Sequence, residues 1–532
     1  MVLSLILALF LPWQAAPPQM GSISGTVVDS VTGQALNKVQ LALQPIGSGE
    51  SVSSSMTMSD DHGRFAMAGI AAGRYRLRGA RGGYLQMAYG ARDSDGLGTV
   101  IELQDGQDLS NLAFKLVPEA VVAGTVRDSE GEPLEGANIT LFRITYTLGG
   151  RTWDDYASAT TDDRGQYRMT GLDPGKYYVA ARPGRFFGGL VDRSAKAKPA
   201  AEESVTTYYP GVADAASSMP VAVSAGARLE GIDVAILKAR VFRVAGRVTN
   251  APAGARIGLS LLDANGEGSA RLTTSVKNAA GDFEFRAVPA GSYTLRAQAE
   301  TRDFEEPMSG RISVEVGDSG ADDVRVALAR PSTVKLRPVA EGEGTPDLSR
   351  LPLFFTANGR NEYGGNPFQA DWLTVQLPAG HYTLRLQEKP RGYYLKSARA
   401  GATDVLADGL TVNGEGSLAV DVVLAPDGAT VQGVALDKNQ QPLAGATVLL
   451  APDDRSRWDL FESVTADQNG HYEFAAIAPG DYHLFAWDGV ETGAWNDPGF
   501  LKDYEEFGAK VSLAPRGQST VDLAVAPPPD GR

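Results

Sequence analysis

Apolar and polar residues alternate with a period of two along most of this chain, and turn-forming residues interrupt the alternation at short intervals. The segments "SISGTVVD", "VAGTVRD", "VAGRVTN" and "VQGVALD" show this pattern, and a second alternating run follows each of them. A period of two places the apolar side chains on one face of a half-buried strand. Because almost no stretch has helical periodicity, the pattern predicts an all-β protein with many short strands.

One unit recurs along the chain and is marked by two glycines ten residues apart, as in Gly165 and Gly175. An Asp or Asn opens the first turn by accepting a backbone N–H two residues on, and the first glycine supplies a positive φ. A tyrosine two residues after the second glycine resembles the tyrosine corner of β-sandwiches, in which the hydroxyl bonds to backbone. The turn residues are Asp60, Asp162, Asn278 and Asp467, and the tyrosines are Tyr75, Tyr177, Tyr293, Tyr382 and Tyr482.

Each unit ends in another alternating strand, which sets the domain boundaries near Val117, Ala239, Arg330 and Asp427. Several short strands with regular turns in about 100 residues are typical of a β-sandwich. We therefore predict five tandem Ig-like or prealbumin-like sandwiches, at residues 21–117, 118–238, 239–330, 331–426 and 427–532. The fourth is degenerate and keeps only "LPAGHYTLRL" of the motif. Because linkers are nearly absent, we expect restrained neighbours in a rod-like array.

The segment "GTVRDSEGEPLEGANITL", followed by "TDDRGQYRMTGLDPGKYYVAAR", resembles the carboxypeptidase regulatory-like domain. The resemblance covers nearly the whole chain after its N-terminal segment and is weakest at 331–426. It implies a seven-stranded, prealbumin-like fold that is also grouped with carbohydrate-binding domains. The segments "TYYPGVADAASSMPVAVSAGARLEGIDVAI" and "GYYLKSARAGATDVLADGLTV" look like large exported bacterial proteins with tandem copies, acidobacterial ones especially. The resemblance implies a fold and leaves the activity open.

Composition narrows the set of partners. The 532 residues carry a net charge of -15, which argues against nucleic acid and anionic membrane surfaces. Cysteine is absent, so disulfides, thiol nucleophiles and thiolate metal sites are excluded. The apolar run Val2 to Leu11, followed by small residues, predicts a secretory signal within residues 1–20. No other apolar stretch approaches transmembrane length, so we expect an exported protein without a membrane span.

Catalytic motifs are not found in the sequence. None of His62, His381, His471 and His483 begins an H-x-x-E pair, and neither a nucleophile elbow nor a phosphate-binding loop is present. Calcium at the Asp-rich turns is an alternative to turn formation, but the copy at Asn278 lacks the charge. We therefore predict no enzymatic activity, no cofactor and no metal site.

Long insertions interrupt the repeat in the second and fifth units, and loops at one end of a sandwich commonly carry binding sites. In the fifth unit Trp458, Trp487 and Trp495 fall in or beside insertions. Exposed flat rings there would suit a carbohydrate, whereas buried rings would pack the insertion onto the sandwich. The segment "NDPGFLKDYEEFG" predicts a short helix that is capped by Asn496 or Asp497.

Three functions are consistent with these features. The first is a non-enzymatic, exported protein that binds a protein or polysaccharide partner in the cell envelope, at the outer surface or outside the cell. The second is a carbohydrate-binding protein. The third is an accessory chain of a separately encoded peptidase or transporter.

Overall fold

A computed structural model describes residues 19–46, 54–147, 150–184, 202–263, 272–300, 308–342, 346–348, 351–357, 360–364, 366–368 and 372–527. Nearly all of the expected signal segment, and residues 185–201 of the second unit's insertion, lie outside these ranges. The chain divides into two compact units, Met1–Pro118 and Glu119–Arg532. No helix in the described ranges is both long and apolar enough to cross a lipid bilayer.

The fold is all-β, and its sheets form pairs that face each other across hydrophobic cores. The first unit contains one pair of sheets, with strands Gly21–Asp29, Gln40–Pro45, Ser55–Met58, Arg64–Ile70, Gly73–Ala80, Met87–Ala88, Ile101–Leu103 and Asp108–Leu116. In the second unit the first sandwich has strands Ala120–Arg127, Asn138–Thr147, Gly150–Thr160, Gln166–Leu172, Gly175–Arg182, Glu202–Ser204, Thr207–Tyr208, Val221–Val223, Arg228–Leu229 and Val234–Ala235, with a 3-10 helix at Ala215–Ser217.

Three further sandwiches follow in the second unit. The next one has strands Lys238–Thr249, Arg256–Asp263, Leu272–Ser275, Asp282–Pro289, Gly291–Glu300, Ser309–Val316 and Ala321–Ala327. The degenerate one has strands Ser332–Ala340, Leu353–Ala357, Arg360–Gly364, Asn366–Phe368, Trp372–Leu377, Gly380–Leu386, Tyr394–Ala400, Thr403–Asp404, Leu410–Val412 and Ser417–Ala425, with a one-turn helix at Val405–Asp408.

The last sandwich has strands Ala429–Leu436, Thr447–Pro452, Glu462–Thr465, His471–Ile477, Gly480–Trp487, Ala509–Leu513, Gln518–Thr520 and Leu523–Ala524. A 3-10 turn, Trp458–Leu460, follows the strand Thr447–Pro452. The long insertion after Gly480–Trp487 contains the helix Pro498–Tyr504 and 3-10 turns at Ala494–Asn496 and Glu505–Phe507. The five pairs of sheets are called sandwiches 1 to 5 below, in chain order.

The first strand of every sandwich pairs in parallel with its last strand. It also pairs antiparallel with the strand after the Asp or Asn turn, or in sandwich 4 with Trp372–Leu377. In four sandwiches a glycine of the first strand permits the parallel pairing. At Gly433 a Cβ would lie 1.8 Å from the carbonyl oxygen of Val521. The corresponding glycines, whose Cβ atoms would lie about as close to a carbonyl oxygen, are Gly25, Gly124 and Gly246. Only glycine fits where two backbones approach so closely.

The predicted tyrosine corner is present in all five copies. Each tyrosine hydroxyl donates to the carbonyl oxygen four residues earlier, as Tyr177 does to Asp173 at 2.8 Å. The other four hydroxyls make the same bond, at 2.8 to 3.0 Å, from Tyr75, Tyr293, Tyr382 and Tyr482. The ring crosses the glycine two residues before it, where a Cβ would lie within 4 Å of the ring. This contact explains the spacing Gly-x-Tyr.

Candidate functional site

The carboxylates of the Asp turns are occupied by backbone. Oδ1 of Asp162 accepts the N–H groups of Arg164 and Gln166 at 3.0 and 2.8 Å. The same pair of bonds, to residues two and four positions on, forms at Asp60, Asn278 and Asp467. The glycine that closes each turn has φ between 69° and 85°, as predicted. Since the uncharged Asn278 serves equally well, turn formation accounts for these residues without a cation.

The histidines are spread over three sandwiches. His62 and His471 are exposed at turns, and Nδ1 of His381 lies 3.1 Å from the Thr411 hydroxyl. His483 is buried, with Nδ1 2.8 Å from Oδ1 of Asp453. Within the described ranges no three His, Asp or Glu side chains are grouped as metal ligands would be.

The insertion of sandwich 5 covers the outer face of one of its sheets. Strands Thr447–Pro452 and Gly480–Trp487 turn alternate side chains into the sandwich core, and the remaining ones, including Phe485, pack under the insertion. The helix Pro498–Tyr504 begins at Asp497, whose Oδ1 accepts the Gly499 N–H at 2.9 Å. This confirms the predicted helix and assigns its cap to Asp497. We call the cluster beneath the insertion the aromatic layer; its buried members are Leu449, Ala451, Phe461, Phe485, Trp487, Ala494, Trp495, Phe500, Leu501, Tyr504 and Ala526.

The three tryptophans belong to this aromatic layer or pack against it. Trp487 is fully buried and Trp495 is 8% exposed. Trp458 is half-buried and stacks on Phe461 with ring centroids 5.1 Å apart. Trp487 and Trp495 therefore have no ring face free for a sugar. An insertion of this length needs its own apolar core, and these two rings form part of that core. Their placement fits the packing alternative and gives carbohydrate binding no support.

Sandwich 2 covers the equivalent face in a similar way. Its insertion places Tyr208 against Phe142 and Ala180 on the outer face of strands Asn138–Thr147 and Gly175–Arg182. The ring of Trp153 lies 4.4 Å from that of Tyr178 on the same face. Another part of this insertion, Glu202–Ser204, joins a sheet of sandwich 3 by pairing with Lys238–Thr249. Sequence reasoning missed this pairing.

The insertion of sandwich 5 also contacts sandwich 2 directly. Tyr146, in the long hairpin of sandwich 2, packs against the aromatic layer, and its carbonyl oxygen accepts a hydrogen bond from Nδ2 of Asn496 at 3.3 Å. Nε and an Nη of Arg151 lie 2.9 and 2.7 Å from Oδ2 of Asp497. Gly493 fits beneath the Tyr146 carbonyl with φ of +81°, where a Cβ would come within 2.8 Å of that oxygen. We call this contact the clasp.

Charge supports the clasp. Burial raises the pKa of the Glu491 carboxyl in sandwich 5, and three cations of sandwich 2, Arg143, Lys176 and Arg151, partly offset this effect. The bond to Asp497 raises the pKa of the Arg151 guanidinium above its ordinary range. The guanidinium also lies 5.9 Å from the Tyr146 ring centroid, within reach of a cation–π interaction. The clasp thus joins an apolar contact, hydrogen bonds and opposite charges.

The clasp corrects the expectation of a rod for residues 119–532. In a rod only consecutive domains touch, whereas sandwiches 2 and 5 touch although two sandwiches separate them in sequence. Sandwiches 4 and 5 are also held together, by Lys389 at the Glu462 carboxylate and the Ala476 carbonyl. The sequence suggested the insertions of sandwiches 2 and 5 as binding loops for a partner. Parts of both insertions instead contact other sandwiches of the same chain, and for this reason residues 119–532 do not form a rod.

Comparison with known proteins finds a family model that matches part of this chain. The family model described as carboxypeptidase regulatory-like domain matches residues 22–117 and 121–187. These ranges cover sandwich 1 and the first part of sandwich 2. No curated protein matches this chain.

Several solved structures are similar at low identity. The Bacillus anthracis TIE protein is 13% identical, with a TM-score of 0.17, over 58% of this chain and 50% of that one. GBS52, the minor pilin of Streptococcus agalactiae, is 13% identical, with a TM-score of 0.24, over 42% of this chain and 96% of that one. The shaft pilin SpaA of Lactobacillus rhamnosus GG is 14% identical, with a TM-score of 0.18, over 42% and 98%. Scores this low support no further conclusion.

Proposed function

We propose that this chain, which carries carboxypeptidase regulatory-like domains at residues 22–117 and 121–187, is a non-enzymatic, exported protein that acts through its surfaces. It joins β-sandwiches into a scaffold that contacts a partner in the cell envelope or outside the cell. Its partner class is a protein. Polysaccharide binding and a role as accessory chain to a peptidase or transporter are the competing functions.

One observation carries the proposal: the repeated polar groups perform the same backbone bonding in copy after copy. The turn oxygen of Asp162 accepts two N–H groups, and the hydroxyl of Tyr177 donates to a carbonyl. A repeated motif that served catalysis would instead leave a nucleophile or base with a free reactive atom in a pocket. The repetition favours a scaffold.

Export is supported by the apolar N-terminal run, Val2 to Leu11, followed by small residues. Its test is fractionation of the native host. We expect the protein in the periplasmic, surface or extracellular fraction, with the N-terminal run removed. Recovery in the cytoplasm with an intact N-terminus would contradict it.

The proposed function is tested with purified protein. We expect no turnover of peptide, ester or glycoside substrates, with or without added Zn²⁺ or Ca²⁺, and stable association with an envelope protein after cross-linking on intact cells. Turnover that is lost on substitution of a single histidine would contradict the non-enzymatic function. Retention on a polysaccharide column, with no protein cross-linked, would favour the carbohydrate-binding alternative.

A further inference from the structure

The strand that begins with Gly-x-Tyr carries different outward side chains in different sandwiches. In sandwich 5 this outward row includes Phe485 and Trp487, and in sandwich 2 it includes Tyr178 and Ala180; in both cases the chain's own insertion covers them. In sandwich 5 the covering insertion goes on to contact another domain. In sandwiches 2 and 5 this face is therefore covered by contacts within the chain.

In sandwich 1 the same row consists of three arginines, Arg74, Arg76 and Arg78, on the strand Gly73–Ala80. They alternate with the buried Tyr75 and Leu77, so all three lie on the outer face of the sheet. On an extended strand alternate residues stand about 6.7 Å apart. No hydrogen bond or ion pair of these arginines forms with the described residues. We call this row the arginine row.

Glu102 lies opposite Arg74 on the neighbouring strand, and two observations indicate that the rest of the arginine row lacks its complement. The Nε–H groups of Arg76 and Arg78 are shielded from solvent and reach no acceptor in the described ranges. Shielded donors without acceptors are rare in native structures and point to an absent partner. Beside the row, the edge strand Ser55–Met58 turns Met56 and Met58 outward, 72% and 55% exposed. Met56 and Arg78 both lie opposite Ala42, which places them on one continuous surface.

The charge of the chain is distributed unevenly along the sequence. Residues 1–118 carry eight Lys and Arg against nine Asp and Glu, so nearly all of the net charge of -15 falls in residues 119–532. A nucleic acid would meet a net negative protein. A uniformly charged polysaccharide would make no use of the exposed methionines, whereas a polypeptide offers apolar and acidic side chains together.

We propose that the outer face of sandwich 1 binds an extended acidic segment of a partner protein, whose alternate carboxylates pair with Arg74, Arg76 and Arg78. An extended peptide repeats its side chains on one face with the same period as the arginine row. Planar guanidinium groups bind carboxylates with two parallel hydrogen bonds. The apolar side chains of such a segment would contact Met56 and Met58.

The test measures binding of a labelled peptide of alternating threonine and glutamate to the full chain by fluorescence anisotropy. We expect binding that weakens as salt is raised, and no binding of the peptide with glutamine in place of glutamate. The triple substitution Arg74→Gln, Arg76→Gln and Arg78→Gln should weaken it about tenfold. The control substitutes three exposed strand arginines elsewhere, Arg168→Gln, Arg228→Gln and Arg325→Gln, and should change it less than about twofold.

Reversing the charges of both the protein and the peptide separates binding from folding, because a misfolded variant would not gain a new binding partner. The variant Arg76→Glu with Arg78→Glu should bind a peptide of alternating threonine and lysine, which the unchanged protein rejects. Equal weakening by the control set would overturn the proposal. Failure of the acidic peptide to bind would overturn it too, and binding of a sulfated polysaccharide in its place would assign the face to a glycan.

Discussion

The clasp makes a quantitative prediction about Arg151. Substituting Arg151→Ala removes both contacts to Asp497 and the cation beside Tyr146. The Arg151 side chain is 51% exposed and that of Asp497 19%, so solvent screens the pair. We therefore expect a loss of about 1 kcal/mol, at the upper end for exposed ion pairs. The ratio of closed to open clasp should fall about fivefold.

Pulsed electron spin resonance measures this ratio. Because the chain has no cysteine, two introduced cysteines carry the only spin labels, at exposed strand positions Thr170 of sandwich 2 and Glu473 of sandwich 5. We expect one narrow distance distribution in the otherwise unchanged protein. A second, longer distance should gain population in Arg151→Ala and dominate when Tyr146→Ala is added. Arg164→Ala, an exposed change on sandwich 2, serves as the control.

A double-mutant cycle isolates the ion pair. Asp497→Asn keeps an oxygen to cap the helix and removes the charge, so it separates the clasp from helix stability. We expect the effects of Arg151→Ala and Asp497→Asn on the closed fraction to be less than additive, since each removes the same interaction. Fully additive effects, or a distance distribution that neither substitution changes, would refute the clasp as described.

Three further predictions concern stability. Gly433→Ala should lower the free energy of unfolding by about 2–3 kcal/mol in urea melts, because its Cβ would overlap a backbone oxygen; Gly258→Ala, where a Cβ meets no atom within 4 Å, should be nearly neutral. Burial, and a hydrogen bond to Asp427, raise the pKa of Tyr394 to about 12. Its contribution to stability should therefore be complete below about pH 10 and lost as pH rises through 12, and an unchanged alkaline profile for Tyr394→Phe would contradict this. Trp487→Ala should cost about 3–5 kcal/mol, seen as a lower melting temperature; an unaltered melting temperature would contradict the packing role of this ring.

Local chemistry explains what the sequence could predict. The turn at Asp162, the positive φ of Gly165 and the corner at Tyr177 each depend on residues within a few positions, so a repeated spacing is enough to recognise them. The clasp depends instead on residues about 350 positions apart, Tyr146 and Asn496. No local pattern encodes such a pair, and the expectation of a rod for residues 119–532 was wrong for that reason.

The tryptophans show why exposure was the hardest property to predict. Strand Gly480–Trp487 reads "GDYHLFAW", and its second half is apolar at every position. In an ordinary sandwich one face of such a strand meets solvent, so alternate apolar residues would suggest a binding surface. Here both faces are buried, one by the core and one by the insertion. A continuous apolar run at the end of this strand therefore predicts a covering insertion, whereas alternating arginines, as in "GRYRLRGA", predict a face left open for a partner.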